Sequence, residues 1–266
     1  MKTHPTSIIG KKANIDSSVE VGPYAIIEDG VKLGKNVKVY AHAYICGGTE
    51  IDDGTEVHMG AVLGHLPQDL TFKDKKSYLK IGKRNIIREY TTIHRSTKEN
   101  SSTEIGNENF LMALSHVGHD CRLKDKVILA NGALLAGHVS VGNGVFIAGN
   151  VAVHQFCKIG DLAMIGGLSA VNRDIPPYMI VRGPSRIRAV NLIGLRRAGL
   201  KREAIKEIKE AFRLIYRSGY NTKKAVEKIL ELKPGKEVLS LVEFVKNSSR
   251  GIGKYGYTEN DKEDFG

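Results

Sequence analysis

The amino-acid sequence predicts a mainly β fold, a parallel solenoid followed by a helical C-terminal segment, and three observations carry that prediction. Branched aliphatic residues return every six positions from Ile9 to Val171. Glycine is abundant at 29 residues, aromatic residues make up only 6% and tryptophan is absent, which suits many tight corners around a narrow core of branched side chains. Beyond residue 177 the recurrence gives way to apolar residues spaced three and four apart.

Stepping by six from Ile9 leads through Ile15, Val21, Ile27, Leu33, Val39, Ile45, Ile51 and Val57 to Leu63. The same phase resumes at Ile81, Ile87 and Ile93, and again from Ile105 to Val171. Of the 28 positions so defined, 25 hold Ile, Leu or Val. These types are about a quarter of an ordinary protein, so chance would fill about seven. The exceptions, Asp69, Lys75 and Glu99, fall in two stretches, about 64–80 and 95–104, which read as insertions looped out of the repeat. Neither an amphipathic helix nor an alternating strand has a period of six; a short strand plus a corner does. The aliphatic residue points inward, and Gly, Asp or Asn often follows, as in Leu33-Gly34, Ile105-Gly106 and Val141-Gly142. Small residues suit corners because they tolerate unusual backbone angles or bond back to their own chain.

This pattern resembles the transferase hexapeptide family. The resemblance implies a left-handed parallel β-helix of triangular section, with three units to a turn and roughly 18 residues per coil, an exception to right-handed crossovers. Stacked coils bury one hydrophobic column per face and leave unpaired strands only at the two ends. The β-helix is expected over residues 1–177, ending where Pro176 and Pro177 remove backbone donors. A helical domain is expected over 190–250. There Ile205, Ile208, Phe212 and Ile215 mark one amphipathic helix, and 222–232 and 236–246, separated by Pro234-Gly235, supply two more. Residues 252–266 are polar and read as a flexible tail.

A formal charge of +11 favours acidic partners. The basic residues are scattered, without an aromatic-rich surface or a nucleic-acid motif, so an acidic protein or an anionic nucleotide substrate fits better than nucleic acid. Cys46, Cys121 and Cys157 are too few and too far apart for a disulfide framework or a CxxC metal site. They read as small buried residues in a reducing cytoplasm. The N-terminus has no signal-peptide core and no apolar run reaches membrane-spanning length, so the expected location is cytoplasmic, without a transmembrane segment.

The histidines concentrate the chemistry. His94, His116, His119, His138 and His154 lie within the repeat, as does the more distant His58. With the implied coil length, His119, Gly137 and Gln155 share one column, Asp120 and His138 share the next, and His154 is beside Gln155. Adjacent coils are about 4.8 Å apart, so these residues should gather into one patch near an outward corner. A lone histidine there is usually an ordinary surface residue. Three with a neighbouring carboxylate are chemically different, because a carboxylate accepting from one ring nitrogen fixes the tautomer and leaves the other as a base near neutral pH.

Three segments, His116-Val117-Gly118-His119-Asp120-Cys121, Ala136-Gly137-His138-Val139 and Ala152-Val153-His154-Gln155-Phe156-Cys157, are similar to the UDP-N-acetylglucosamine O-acyltransferases that begin lipid A synthesis. So are Pro67-Gln68-Asp69-Leu70, Arg88-Glu89, Ile93-His94-Arg95, Pro176-Pro177-Tyr178 and the segment 214–219. The similarity runs in order over nearly the whole chain. It implies a homotrimer with sites in clefts between neighbouring prisms. It also implies transfer of a 3-hydroxyacyl chain from an acidic acyl carrier protein to the 3-position of UDP-N-acetylglucosamine or its 3-amino analogue, with no metal and no dissociable cofactor. By the same resemblance His119 is the general base, Asp120 orients it, and the Gly137 amide donates to the developing oxyanion. His94, His116, His138, His154 and Gln155 would hold sugar or donor, Gln68 and Asp69 the nucleotide-sugar, and Asn191 and Arg197 its phosphates or nucleotide. Gly167 would leave room for a long acyl chain.

Four positions depart from the commonest family pattern: Thr71 for Lys, Ser96 for Gly, Pro184 for His and Ala198 for Arg. They leave the acceptor atom and the acyl length open, and the sequence does not mark where the carrier protein docks. A γ-class carbonic anhydrase uses the same prism, but its separated zinc histidines are missing, and HxxH at 116–119 does not replace them. The N-acyltransferase acting later in the same pathway usually carries an extra N-terminal domain, whereas here the repeat starts by residue 9. A non-enzymatic scaffold would explain the repeat but not the histidine patch.

Overall fold

The computed structural model describes residues 1–256. Short strands alternate with corners from Lys2–Thr3 to Ala170–Val171, and each strand pairs in parallel with its equivalent in the next coil. The result is a left-handed β-helix with three faces. Face one begins with Lys2–Thr3, face two with Ile8–Ile9 and face three with Asn14–Ile15; among the described residues their sheets hold 12, 9 and 8 strands. We call the turns between faces one and two, two and three, and three and one the first, second and third corners.

The inward columns make the core. On face two Ile27, Ile45, Leu63, Ile93, Val117, Leu135 and Val153 are all buried, stacked along one line. β-branched side chains have few rotamers to lose and fill so narrow an interior well. The glycine that follows many of these residues is required by close approach rather than by backbone angle. A Cβ on Gly142 would sit 2.6 Å from the amide nitrogen of Asp161 in the next coil. The left-handed backbone conformation falls elsewhere in the turn and is often carried by larger residues, including Asp120 at φ 59° and His138 at φ 62°. Non-glycine residues in this region are uncommon and carry modest strain, and such outliers gather at functional sites.

Both insertions leave the prism at the second corner. The first runs over 66–77, between the strands Val62–His65 and Tyr78–Ile81; the second runs over 95–101, between Thr92–His94 and Ser102–Ile105. Both are shorter than the lapse in the recurrence indicated, because the flanking residues extend the strands: Leu79 pairs with Thr49 on one side and Thr103 on the other. Ordinary contacts between coils join residues 18 apart, whereas those spanning the insertions join residues 30 and 24 apart. Leu63 therefore lies against Ile93, and Ile93 against Val117. The two excesses are whole multiples of six, which is why the inward phase resumes unshifted.

Beyond Val171, Met179–Arg182 continues face one and pairs antiparallel with Arg186–Val190. Four helices follow among the described residues: α1 (Leu192–Arg197), α2 (Arg202–Tyr216), α3 (Thr222–Glu231) and α4 (Lys236–Lys246). α1, at six residues, is too short to display a helical period and was not expected. α2 buries Ile208, Ala211, Phe212, Leu214 and Ile215, packing on α3, α4 and Arg186–Val190. Within the stretch 252–266 read as a tail, Ile252 bridges Asp174 and Lys254–Tyr255 pairs with Arg186–Val190; residues 257–266 lie outside the described residues. Among the described residues no helix is long and apolar enough to cross a membrane.

The outer surfaces differ in character. Face three presents Lys32, Glu50, Lys80, Glu104, Arg122 and Lys158 to solvent, several of them in ion pairs. Face one turns from the charged ladder Lys2, Glu20, Lys38 and Glu56 to Ile86, Phe110, Ile128, Phe146 and Met164. The first corner exposes Met59, Tyr90, Leu114 and Leu168, the last at 81%.

Candidate active site

The second corner carries the histidine patch. Parallel pairing with the 18-residue step sets 119 over 137 and 120 over 138, and the backbone N–H of His138 donates to the His119 carbonyl at 2.9 Å. His119 Nδ1 lies 2.9 Å from Asp120 Oδ2, and His138 Nε2 lies 3.6 Å from the same oxygen. The His119 and His138 rings meet edge to face at 5.1 Å, and His138 stacks on Phe156 at 4.4 Å. An ionised carboxylate only accepts, so Asp120 directs the His119 proton to Nδ1 and leaves Nε2 with a free lone pair.

Asp120 is held by the second insertion. Ser96 Oγ donates to Oδ1, while Thr97 Oγ1 and the Thr97 N–H donate to Oδ2 at 2.6 and 3.2 Å. Its own N–H donates to Thr103 Oγ1 at 2.8 Å. Burial raises the proton affinity of the Asp120 carboxyl, but hydrogen bonds from His119, Ser96 and Thr97 outweigh it and hold the group well below the usual carboxylate range. Burial pushes the His138 imidazole down, partly opposed by Asp120.

Gly137 lies directly under His119. A Cβ built there would sit 2.6 Å from His119 Nε2, and among the described residues its N–H donates to no protein acceptor. The His119 ring and the Gly137 backbone thus lie against each other, a proximity suited to a base and an amide donor acting on one reacting group.

Face two extends the site. Thr92 Oγ1 lies 2.7 Å from His116 Nδ1, and His116 meets His94 edge to face at 4.8 Å. Burial pushes His94 down to about 4 and lowers His116 too, with the neighbouring imidazoles adding to the effect. These two are neutral polar groups near pH 7. From the first insertion, Asp69 accepts from the Thr71 amide and hydroxyl, both at 2.8 Å, which holds its carboxyl below the usual range; the fields of His119 and His138 act in the same direction.

His119, Asp120 and His138 each bring a possible metal-ligand atom within 4.8 Å of the others. Yet the oxygens of Asp120 already accept four hydrogen bonds, from Ser96, Thr97 and His119. That arrangement suits a carboxylate that orients the neighbouring imidazole.

Of the residues singled out from sequence, His119, Asp120, Gly137 and His138 form one cluster, with His94 and His116 adjoining on face two. His154 and Gln155 follow on the same corner, exposed, with His154 Nδ1 3.1 Å from the Gln155 carbonyl. Gln68 and Asp69 lie in the first insertion. Gly167 sits on the first corner, across face two from the pair, where an added Cβ would meet the Gly149 carbonyl at 3.5 Å. Asn191 and Arg197 are not brought to the cluster within one chain. Asn191 is the N-cap of α1, its Oδ1 accepting from Gly194 N at 3.0 Å and its Nδ2 donating to the Leu162 carbonyl on the third corner at 2.9 Å. Arg197 is exposed in the last turn of α1. Thr97, Thr92 and Phe156 were not singled out. The signal for Thr92 was present, since the six residues added by the second insertion place it beside His116.

Fold and corner together place the chain among the hexapeptide-repeat acyltransferases. The family described as "Udp N-acetylglucosamine O-acyltransferase; Domain 2" matches residues 174–253. An acyl-[acyl-carrier-protein]--UDP-N-acetylglucosamine O-acyltransferase of Gloeothece citriformis is 46% identical over 79% of this chain and 76% of its own length. Its counterpart in Thermodesulfovibrio yellowstonii is 42% identical over 94% and 98%. The solved LpxA of Acinetobacter baumannii superposes with a TM-score of 0.91 at 38% identity, covering 95% of this chain and 99% of that one. That of Moraxella catarrhalis gives 0.92 at 37%, covering 96% and 100%. The chain belongs to the UDP-N-acetylglucosamine O-acyltransferase family.

Proposed function

We propose that this protein transfers a 3-hydroxyacyl chain from acyl carrier protein to the 3-position of UDP-N-acetylglucosamine, the first step of lipid A synthesis, with His119 as general base. The observation that supports the mechanism is the His119–Asp120 pair set against Gly137, whose N–H donates to no protein acceptor among the described residues. His119 Nε2 takes the proton of the sugar 3-hydroxyl as its oxygen attacks the thioester carbon. The Gly137 N–H receives the oxyanion, and Asp120 stabilises the imidazolium. Collapse breaks the carbon–sulfur bond, and the imidazolium returns its proton to the departing carrier thiolate. The sequence draws on no dissociable cofactor, because a thioester carbonyl is already activated.

His94 and His116, kept neutral by burial, suit hydrogen bonds to sugar or donor hydroxyls, and His138, His154 and Gln155 continue that lining along the corner. Gln68 and Asp69 reach the nucleotide-sugar from the first insertion. Between the pair and Gly167, face two presents Leu134, Ala152 and Ala170, a shallow apolar surface for a long acyl chain. With acyl carrier protein being acidic, the +11 charge favours its approach. Three buried free cysteines suit a reducing cytoplasm. The test of the reaction is mass spectrometry of products from UDP-N-acetylglucosamine and its 3-amino analogue, each offered carrier proteins loaded with several chain lengths. A mono-acylated UDP-sugar is expected. Thioester hydrolysis without sugar acylation would reject the assignment.

The working unit we propose is a homotrimer, supported by the contrast between faces. Face three is charged, whereas the lower half of face one and the exposed Tyr90, Leu114 and Leu168 form an apolar surface of the kind that packs against another copy. Packing face one of a neighbour against face two would close the cleft over His119 and bring the neighbour's Asn191 and Arg197 toward it. Sedimentation of the wild type should give three times the chain mass of 29.1 kDa. Phe146→Glu is expected to shift it toward monomer and abolish turnover together, and an active monomer would reject the shared cleft.

A further inference from the structure

We propose that Ser96 is a positioning residue that sets the proton affinity of the His119–Asp120 pair, acting from the second insertion through the Asp120 carboxylate. The inference rests on the reading of His119 as general base, and it concerns a position where the sequence departs from the commonest pattern of the family it resembles.

The geometry leaves the Ser96 hydroxyl one main task. It is fully buried, accepts from the Lys98 N–H at 3.0 Å, and directs its proton to Asp120 Oδ1. Its alternative acceptor, the Lys98 carbonyl, is at 3.5 Å. The Ser96 carbonyl is in turn held at 2.6 Å by the hydroxyl of Ser77, a buried residue at the end of the first insertion. A continuous chain, Ser77 to Ser96 to Asp120 to His119, therefore ties both insertions to the base. Thr97 reinforces it on Oδ2, the oxygen that faces His119 Nδ1.

Each donor to the carboxylate draws charge away from His119. Three neutral donors make Asp120 a poorer partner for an imidazolium than a carboxylate held by the histidine alone. Every donor on Asp120 therefore weakens the attraction that the carboxylate exerts on a proton at His119. Removing the Ser96 hydroxyl returns charge to the His119 side, stabilises the imidazolium and raises the pH at which the base becomes available. The other groups whose fields reach the pair are Asp69 from the first insertion, His94 and His116 on face two, and His138 on the next coil, with Lys98 acting on His138 and His65 on His94 one step further out. All are retained when Ser96 is changed, so a difference between variant and wild type isolates the hydroxyl.

The test compares the wild type and Ser96→Ala in two ways: kcat/KM against pH, and NMR titration of the His119 ring in the full chain, its signal identified by loss in His119→Ala. The acid limb and the His119 midpoint are expected to move upward together by roughly half a unit or more, with KM for the UDP-sugar unchanged. Thr97→Val should move both in the same direction, and Thr97→Ser, which keeps the hydroxyl, should restore them; this pair carries the test if Ser96→Ala does not fold. A uniform fall in kcat with limb and midpoint both unmoved would overturn the proposal, leaving Ser96 as a prop for the loop. A midpoint that moves while the limb stays would support the effect on the pair and remove His119 from the role of base.

Discussion

Replacing His119 with alanine is expected to lower turnover about 10³-fold or more while leaving the fold intact, since a positioned general base contributes about 10²–10⁴-fold and removal of the imidazole also releases Asp120 from its partner. The side chain stands on an outward corner, and the inward column beside it, Val117 and Leu135, is untouched. The melting temperature and oligomer mass should therefore match the wild type. The measurement is single-turnover acyl transfer at saturating carrier protein, which separates the chemical step from binding. Loss of kcat with little change in KM is the signature of a group that acts in the transition state. Turnover within a few-fold of wild type would move the base to another imidazole, with His138 and His116 the nearest candidates.

The second large effect concerns Gly137. Its φ lies outside the left-handed region, so alanine meets no backbone penalty. The added methyl instead falls on the His119 ring, 2.6 Å from Nε2. An imidazole at the end of a flexible side chain can swing aside, so the protein should fold normally. The imidazole, however, leaves its place beside Gly137, and if it is the base, a displacement of about 1 Å costs on the order of a hundredfold in rate. Gly137→Ala is thus expected to lose about two orders of magnitude in kcat/KM at unchanged thermal stability. Gly118→Ala supplies the contrast. There a Cβ would meet the backbone carbon of Ala136 and the Gly137 nitrogen, both at 2.8 Å, and backbone inside a coil cannot yield. That variant should lose melting temperature first. Near-wild-type rates for Gly137→Ala would mean that the reacting carbonyl sits away from this amide.

Legibility in the sequence followed the constancy of the coil. Where 18 residues always separate neighbours, Gly137 under His119 and His138 beside Asp120 were countable before any coordinates. Where the second insertion interrupts the count, the contacts of Ser96 and Thr97 with Asp120, made across 24 and 23 residues, could not be placed. Ser96 was visible only as a departure from a family pattern, without a reason. α1 escaped notice because six residues hold too few turns to show a period. Asn191 illustrates a different limit. Resemblance implies a phosphate or nucleotide contact, and a single chain shows only that its side chain caps α1 and holds the Leu162 carbonyl, uses that no spacing rule announces. The role of the glycines was also misread in part. Their position after the inward residue was evident, but the cause is the nearness of the next coil, while left-handed angles fall to residues such as Asp120.

The lengths added at the second corner, which carry the contacts of one coil from 18 residues to 30 and to 24, act like insertions that preserve a reading frame. Every downstream aliphatic residue keeps its inward sense, so the wall of the prism is indifferent to what the loops contain. Selection can then rewrite the loop text without editing the scaffold. Changes at residues such as Thr71, Ser96 and Thr97 act on the site alone, while Ile105 to Val171 hold the histidine corner in register.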